Sequence, residues 1–584
     1  MKKTIISLVS IGAALLTFAS CSQSLLEIPQ KGVLNYEMFY DDSEESAESA
    51  ALAIYSAYVT SMNMGVMDEL PTWVIAPVNY VLTNAPSDDS YYGSGGKSDH
   101  IFGLEINEYR PSFDSGSLVV RFSYKAAYNV IYTCNLLIDN FNPATSEKIA
   151  RNVAEARVFR AMAHLHLATY WGTPPKVDHL LAGDARPTNS NHDELMAWII
   201  KELDEAAEAL PPRAGKGDKN GAVRLTKEAA YAYEGKAQVF AGDYNGAKAT
   251  LKKVIDSGNY ELVPGPEMVN MFHRAGDGST EKVFEFNYVD NVNIGIPDGF
   301  RHFQRSQSCF WRDLKVLPNP FFKQNDGWGG GGNPSKSFVD AIMANEPDSY
   351  RRKAWIISYE ELIGDYDYSG RVAEDKENGL KAGEDLTRDE KMNDPRLGLS
   401  APSYYGNVGW FLVKYAPLET ELNVNSIDAN DNNTVMMRYA EVLLLYAEAC
   451  AMAGDDGSGL AALNEVARRA GAPLYSSLTL DNVKKEKRFE MFMEGCRFAD
   501  LVRWGDAATV LKDQGREVPS FIDLFEEGKH PHEAKIDYSD AYYNDEYGFK
   551  AGKNELMPFP LGELQLNPYD EAEGVGIKQN PGWR

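Results

Sequence analysis

A recurring pair of short helices is the feature that most restricts what this chain can fold into. In LTKEAAYAYEGKAQVFAGDYNGAKATLKKVIDSGNYEL, residues 225–262, Thr226 is placed to cap a helix. Small and large apolar side chains then recur at helical spacing up to Phe240. A turn at Gly242-Asp243 follows, then a second helix ending near Gly258. Further pairs read the same way. Residues 122–141 precede 154–172, residues 193–210 precede the unit just quoted, and 438–454 precede 459–472, after which 482–505 continues. One such pair cannot hide its apolar faces, whereas stacked pairs bury them against one another. The spacing therefore predicts a mainly α fold, a tetratricopeptide-like right-handed helical solenoid of about four helix pairs. The pairs fall within about 44–258 and 437–508. Between them, about 259–436 is rich in Gly, Pro, Asn, Asp and aromatics, with short strands such as KVFEFNYV. A connection that long is a structured, loop-rich insert, and such excursions usually carry function.

The start of the chain bears on where it resides. Lys2 and Lys3 precede the apolar stretch TIISLVSIGAALLTFAS and then Cys21. That stretch is too short and wrongly flanked for a retained span and reads as a signal peptide over 1–20. FASC is similar to the cleavage site of bacterial lipoproteins, so Cys21 is the expected lipidation site. The mature chain, 21–584, reads as a single domain whose last part, about 509–584, caps the fold.

The overall balance excludes several functions. With 58 Lys and Arg against 85 Asp and Glu, the net charge is −27, which repels phosphate backbones, so no nucleic-acid partner is expected. GWGGGGNPSKS, residues 327–337, satisfies a literal G-x-G-x-x-G, but NPFFKQND before it is no buried strand, and no Gly-Lys-Ser/Thr closes the run. Nucleotide binding is not expected there. Cys134, Cys309, Cys450 and Cys496 lack zinc-ligand spacing. Cys134, Cys450 and Cys496 sit in helical patterns as small buried residues, and any disulfide among the four is open. His164 and His166 fall on different helix faces, and KHPHE at 529–533 reads as an exposed turn. No metal and no cofactor are expected.

RYAEVLLLYAEA (438–449), KRFEMFMEGCRFADLVRWG (487–505), AEARVFRAMAHLHLATYWGTPP (154–175), LMPFPLGELQLNP (556–568) and QNPGW (579–583) together resemble the RagB/SusD family of nutrient-uptake lipoproteins. GWGGGGNPSKSFVDAI is similar to that family's Gly-Trp-Gly segment, with a turn and a helix behind it, which gives Trp328 a structural reading beside a ligand-facing one. The resemblance implies a non-enzymatic glycan-binding lipoprotein. It implies anchorage in the outer membrane through Cys21, facing the exterior, and delivery of ligand to a SusC-like TonB-dependent transporter.

A sugar offers an apolar C–H face to aromatic rings and hydroxyls to Asp, Asn and Arg. Two regions supply that mixture. TWVIAPVNYVLTNAPSDDSYYGSGGKSD (72–99) holds Trp73, Tyr80, Asn84, Asp88, Asp89, Tyr91 and Tyr92, and HFQRSQSCFWRDL (302–314) holds Phe310, Trp311 and Arg312. Trp73, Tyr91, Tyr92, Trp311 and Trp328 are the expected stacking platforms, and Asn84, Asp88, Asp89 and Arg312 the hydrogen-bonding groups. Glu490, Glu494 and Arg497, with Arg488, Asp500 and Arg503 nearby, could suggest paired catalytic carboxylates, but on a buried helix they are expected to satisfy one another between repeats. A peptide-binding member of the family, a two-carboxylate glycosidase and a bare repeat scaffold are the alternatives.

Overall fold

The expected helix pairs form, and their caps explain where they begin. The structure is a computed structural model that describes residues 40, 42–63, 78–93, 96–98, 101–288, 314–322, 332–399, 403–416, 418–421, 432–522, 535–538 and 546–584. In chain order, the first part holds α1 (Glu44–Tyr58), α2 (Val78–Asn84), α3 (Leu118–Asn140), α4 (Glu147–Trp171), α5 (His192–Ala209), α6 (Lys227–Phe240) and α7 (Tyr244–Asp256). Ser43, Ser146, Asn191, Thr226 and Asp243 each accept a hydrogen bond from a first-turn backbone N–H, satisfying donors that a helix start leaves orphaned. Gly258, at φ +65°, takes the left-handed backbone just past the end of α7.

Neighbouring helices pack in sequence order: α3 on α4, α4 on α5, α5 on α6 and α6 on α7, with α1 lying across α3 and α4. Their contact is close. A Cβ added at Gly235 of α6 would come within 2.4 Å of Leu251 of α7, so only glycine lets those two helices approach as they do.

After α7 the chain leaves the stack through β2 (Lys282–Phe286) and returns through β7 (Thr434–Arg438). The two strands pair antiparallel, Lys282 opposite Arg438 and Phe286 opposite Thr434, so the excursion is clasped at its root. The stack then resumes with α10 (Tyr439–Ala453), which packs on α7 as the next layer, followed by α11 (Asp456–Ala470), α12 (Leu480–Glu490) and α13 (Arg497–Arg503). Helix α10 is buried on all sides from Tyr439 to Cys450; its sequence is apolar all round except for Glu441 and Glu448, which are paired with Lys236 and Arg503.

The insert carries more regular structure than short strands alone. It contains α8 (Lys336–Asn345) and α9 (Tyr350–Trp355). Its short strands are β3 (Asn333–Pro334), β4 (Ile356–Ser358), β5 (Tyr404–Tyr405) and β6 (Trp410–Leu412); β1 (Ser90–Tyr91) pairs with β3, and β4 with β6. Beyond the stack, β8 (Ser520–Ile522) joins β5 to β9 (Lys535–Asp537). The insert also has a core of its own, built on Phe338, Trp355, Ile356, Leu362, Tyr368 and Phe411. Phe489, Phe492 and Met493, at and beyond the end of α12, complete that core, and the Phe492 ring stacks on Phe338 with centroids 3.8 Å apart.

The C-terminal segment packs onto the stack. Trp171 Nε1 donates to the Pro558 carbonyl, and Asn580 Nδ2 donates to the carbonyls of Trp171 and Met557, which latches the chain end onto the end of α4. Cys134, Cys450 and Cys496 are free and buried.

Candidate functional site

Of the two regions expected to bind ligand, 72–99 is tied near its end to the segment just behind the glycine run, whereas 302–313 lies outside the described residues. Strand β1 sets Ser90 opposite Pro334 and Tyr91 opposite Asn333. The backbone N–H of Ser335 donates to the Asp89 carbonyl (2.9 Å), and its hydroxyl donates to the Asp88 carbonyl (2.5 Å). The same hydroxyl caps α8 by accepting from Phe338 N (3.1 Å). The helix expected behind the glycine run is therefore present, but β3 stands where a turn was expected, and the two bind the segment after α2.

The carboxylates at this base serve the fold. Asp88 and Asp89 are 6% and 2% exposed. Arg497 donates to both oxygens of Asp88 (2.8 and 3.0 Å), and Arg488 reaches Asp89 at 2.7 Å and Asp88 at 2.9 Å. Arg488 also donates to Ser337 Oγ, so one guanidinium joins α12, the Asp pair and α8. Burial alone would raise both carboxyls. The charges of Arg488 and Arg497 bring Asp88 below the ordinary value, whereas Asp89 stays above it, disfavoured by burial and by the neighbouring Asp88 charge. Their expected role as sugar-facing groups is corrected: both carboxylates are buried and held in ion pairs with Arg488 and Arg497 instead of facing a ligand.

Tyr92 is corrected likewise. It is 1% exposed and its ring lies where a Cβ on Gly103 would sit, 2.2 Å away, so neither face can receive a sugar. Tyr91 is half-buried against both cores. Asn84 is buried; its Nδ2 donates to the Tyr80 carbonyl and its Oδ1 accepts from Gly495 N (2.9 Å), while the residue borders a cavity of about 270 Å³. Cys21, Trp73, Cys309, Phe310, Trp311, Arg312, Trp328 and residues 529–533 lie outside the described residues.

The acidic motif of α12 and α13 is structural, with partners drawn from across the molecule more than from within the motif. Glu490 accepts from Arg438, Arg469 and Arg351, and Glu494 from Arg438 and Lys414. Asp500 is held by Lys487 and Arg503, and Arg503 also pairs with Glu448. Glu281, Arg351 and Glu486 complete a fully buried network between clasp, insert and stack. Sequence reasoning saw the charges but not their mates, since pairing between separate elements, from 21 to 157 residues apart for the arginines on Glu490 and Glu281, leaves no local signal.

His164 and His166 are both driven down to about 4 by burial and are neutral. Among the described residues, no group of three or more His, Cys, Asp or Glu is arranged to hold a metal ion, and no helix is long and apolar enough to cross a membrane.

Comparison with known proteins gives two family matches: the SusD family over residues 230–583, and a family described as starch-binding associating with outer membrane over 97–237. A SusD-like protein of Bacteroides ovatus is 24% identical over 520 residues, spanning 85% of this chain and 82% of its own. Among solved structures, surface glycan-binding protein A from Bacteroides fluxus superposes with a TM-score of 0.65 at 21% identity, covering 93% of this chain and 100% of its own. Surface glycan-binding protein A from Bacteroides thetaiotaomicron, in complex with laminarihexaose, gives 0.62 at 21% identity over 92% of this chain and 99% of its own.

Proposed function

Because the chain belongs to the SusD family, we propose that it is a non-enzymatic surface glycan-binding lipoprotein that captures an oligo- or polysaccharide and hands it to a SusC-like TonB-dependent transporter. The observation that carries this reading is the joined base. Residues 88–91, within the first region rich in Trp, Tyr and Asn, and residues 333–337, which follow the Gly-Trp-Gly run, are fixed to each other by backbone pairing and buried ion pairs. A rigid base costs a binding surface little ordering entropy when a ligand arrives. The glycan-binding neighbours, similar over nearly the whole chain, support the choice of ligand class.

In this reading Trp73, Tyr91, Trp311 and Trp328 stack against sugar faces, and Asn84 and Arg312 hydrogen-bond to hydroxyls. Cys21 carries the lipid that holds the protein at the outer membrane, facing out. The buried carboxylates of α12 and α13 argue against a glycosidase, because each already accepts from Arg or Lys and cannot reach a glycosidic oxygen.

Affinity electrophoresis of the chain starting after Cys21, against neutral and acidic polysaccharides including laminarin, tests this, with reducing ends assayed in parallel. Retardation by a polysaccharide without new reducing ends is the expected result. New reducing ends from pure protein, or no retardation by any polysaccharide, would refute it. In the retarded case, Trp73→Ala with Trp311→Ala weakens binding strongly while leaving the thermal unfolding of the stack unchanged.

A further inference from the structure

The cavity of about 270 Å³ bordered by Asn84 runs into the inner face of the helical stack, where α2, α4, α6, β7, α10 and α13 meet. At that size it sits near the lower end of small-molecule pockets, with room for one ring and not for a chain. Its walls are aromatic, from Tyr58, Tyr170, Tyr233, Phe240 and Tyr415. Such rings present flat faces to C–H groups.

The charged groups on its walls are paired. Lys236, near the end of α6, reaches Glu441 of α10 at 2.8 Å, and Lys236 keeps 23% of its side chain open while Glu441 keeps 3%. Both line the cavity. The same Glu441 oxygen lies 3.7 Å from the Cys496 thiol. The other charged residues at the wall are already engaged: Arg438 with Glu281, Glu490 and Glu494, and Lys487 with Asp500. A cation and an anion side by side present a donor and an acceptor with no net charge. That arrangement matches adjacent hydroxyls and offers nothing extra to a carboxylate or sulfate. Burial pushes the Cys496 thiol up to about 12, so it stays protonated and adds no charge.

We propose that this cavity binds a single pyranose ring of a neutral sugar, with Lys236 and Glu441 on adjacent hydroxyls and the tyrosines on the ring faces. The proposal rests on the glycan-binding reading and adds to it a pocket set into the stack. It gives the protein a means of recognising one sugar residue, and it favours uncharged glycans over uronic or sulfated ones.

The test titrates the chain starting after Cys21 with glucose, galactose, mannose and glucuronate by calorimetry, at concentrations into the millimolar range, beside the polysaccharide panel. A neutral hexose is expected to bind saturably and glucuronate at least tenfold more weakly. Two variants assign the site. Thr169→Phe fills the cavity and gives up only a hydroxyl bond to the Leu165 carbonyl of its own helix. Lys236→Met with Glu441→Gln removes both charges together, so that neither is left buried alone. Each is expected to lower hexose affinity at least tenfold, and a melting curve confirms that it folds. If no hexose saturates, or if hexose binding survives Thr169→Phe in folded protein, the pocket proposal is overturned even where a polysaccharide still binds. If no polysaccharide binds, the broader reading falls, and the hexose titration still decides the pocket.

Discussion

The stack and the insert bury comparable kinds of side chain by opposite routes. In the stack each helix packs on its neighbour in sequence, α3 on α4 through α6 on α7, so contacts are local and each apolar face is readable as a 3.6-residue period. In the insert, Phe338 stacks on Phe492 and Trp355 packs among segments more than fifty residues away, held by a two-stranded clasp and a charged network. A local core tolerates the loss of a single charge. A core closed over a long excursion depends on the groups that close it, because loop-closure entropy must be offset at the root.

The sharpest way to break this contrast is Arg438→Met. It leaves Glu281, Glu490 and Glu494 without their shared partner, and removing one member of a buried ion network typically costs about 3–5 kcal/mol. Limited proteolysis is expected to cut within 259–436 first while the stack up to α7 stays protected. Simultaneous loss of both regions would show that they are one cooperative unit.

Acid and neutral pH separate the regions next. Burial would raise Glu490, but Arg469, Arg438 and Arg351 draw it down to about 2, so the stability it contributes is present above about pH 4.5 and is lost as pH falls from there toward 2. Glu234 in α6 behaves in the opposite sense. Burial pushes it up to about 7 despite a hydrogen bond from Thr250, so the folded chain holds a proton that the unfolded chain releases, and stability falls as pH rises from about 4.5 to 7. Thermal melts of Glu234→Gln across that window are expected to show a flatter decline than the parent, and an unchanged slope would count against the assignment.

Within the stack itself, Gly235→Val forces α6 away from Leu251 and is expected to cost about 1–3 kcal/mol in chemical denaturation, as overpacking does. Thr226→Ala removes the cap that accepts from Ala229 N and should cost ~1 kcal/mol. Smallest is Lys252→Ala, which breaks an exposed pair with Asp256 one helical turn away and should shift stability by about 0.5 kcal/mol at most. A Lys252→Ala effect as large as that of Thr226→Ala would mean that surface charge matters more to the stack than its packing suggests.

Legibility in the sequence follows the same division. Thr226, Asp243 and Gly258 announced their helix ends because capping is decided within four residues. Cys134, Cys450 and Cys496 were read as buried thiols from helical context alone. Asp88, Asp89 and Tyr92 misled because their types suit a sugar, while what occupies them, Arg488, Arg497 and the space beside Gly103, is remote in sequence or lacks a side chain to signal it. Lys236 went unnoticed inside an ordinary helical pattern; only its meeting with Glu441, two hundred residues on, gives it chemical interest.

The sequence by itself determined the helix pairs, their caps, the break near 258 and the return near 438, and the family to which those motifs belong. Tertiary structure decided which charges pair, that the insert owns a core, and that residues 88–91 and 333–337 share one base. The physical reason is range. Backbone caps and apolar periodicity act within a few residues and so are written locally, whereas ion pairs and cavities arise only when distant segments are brought to one place.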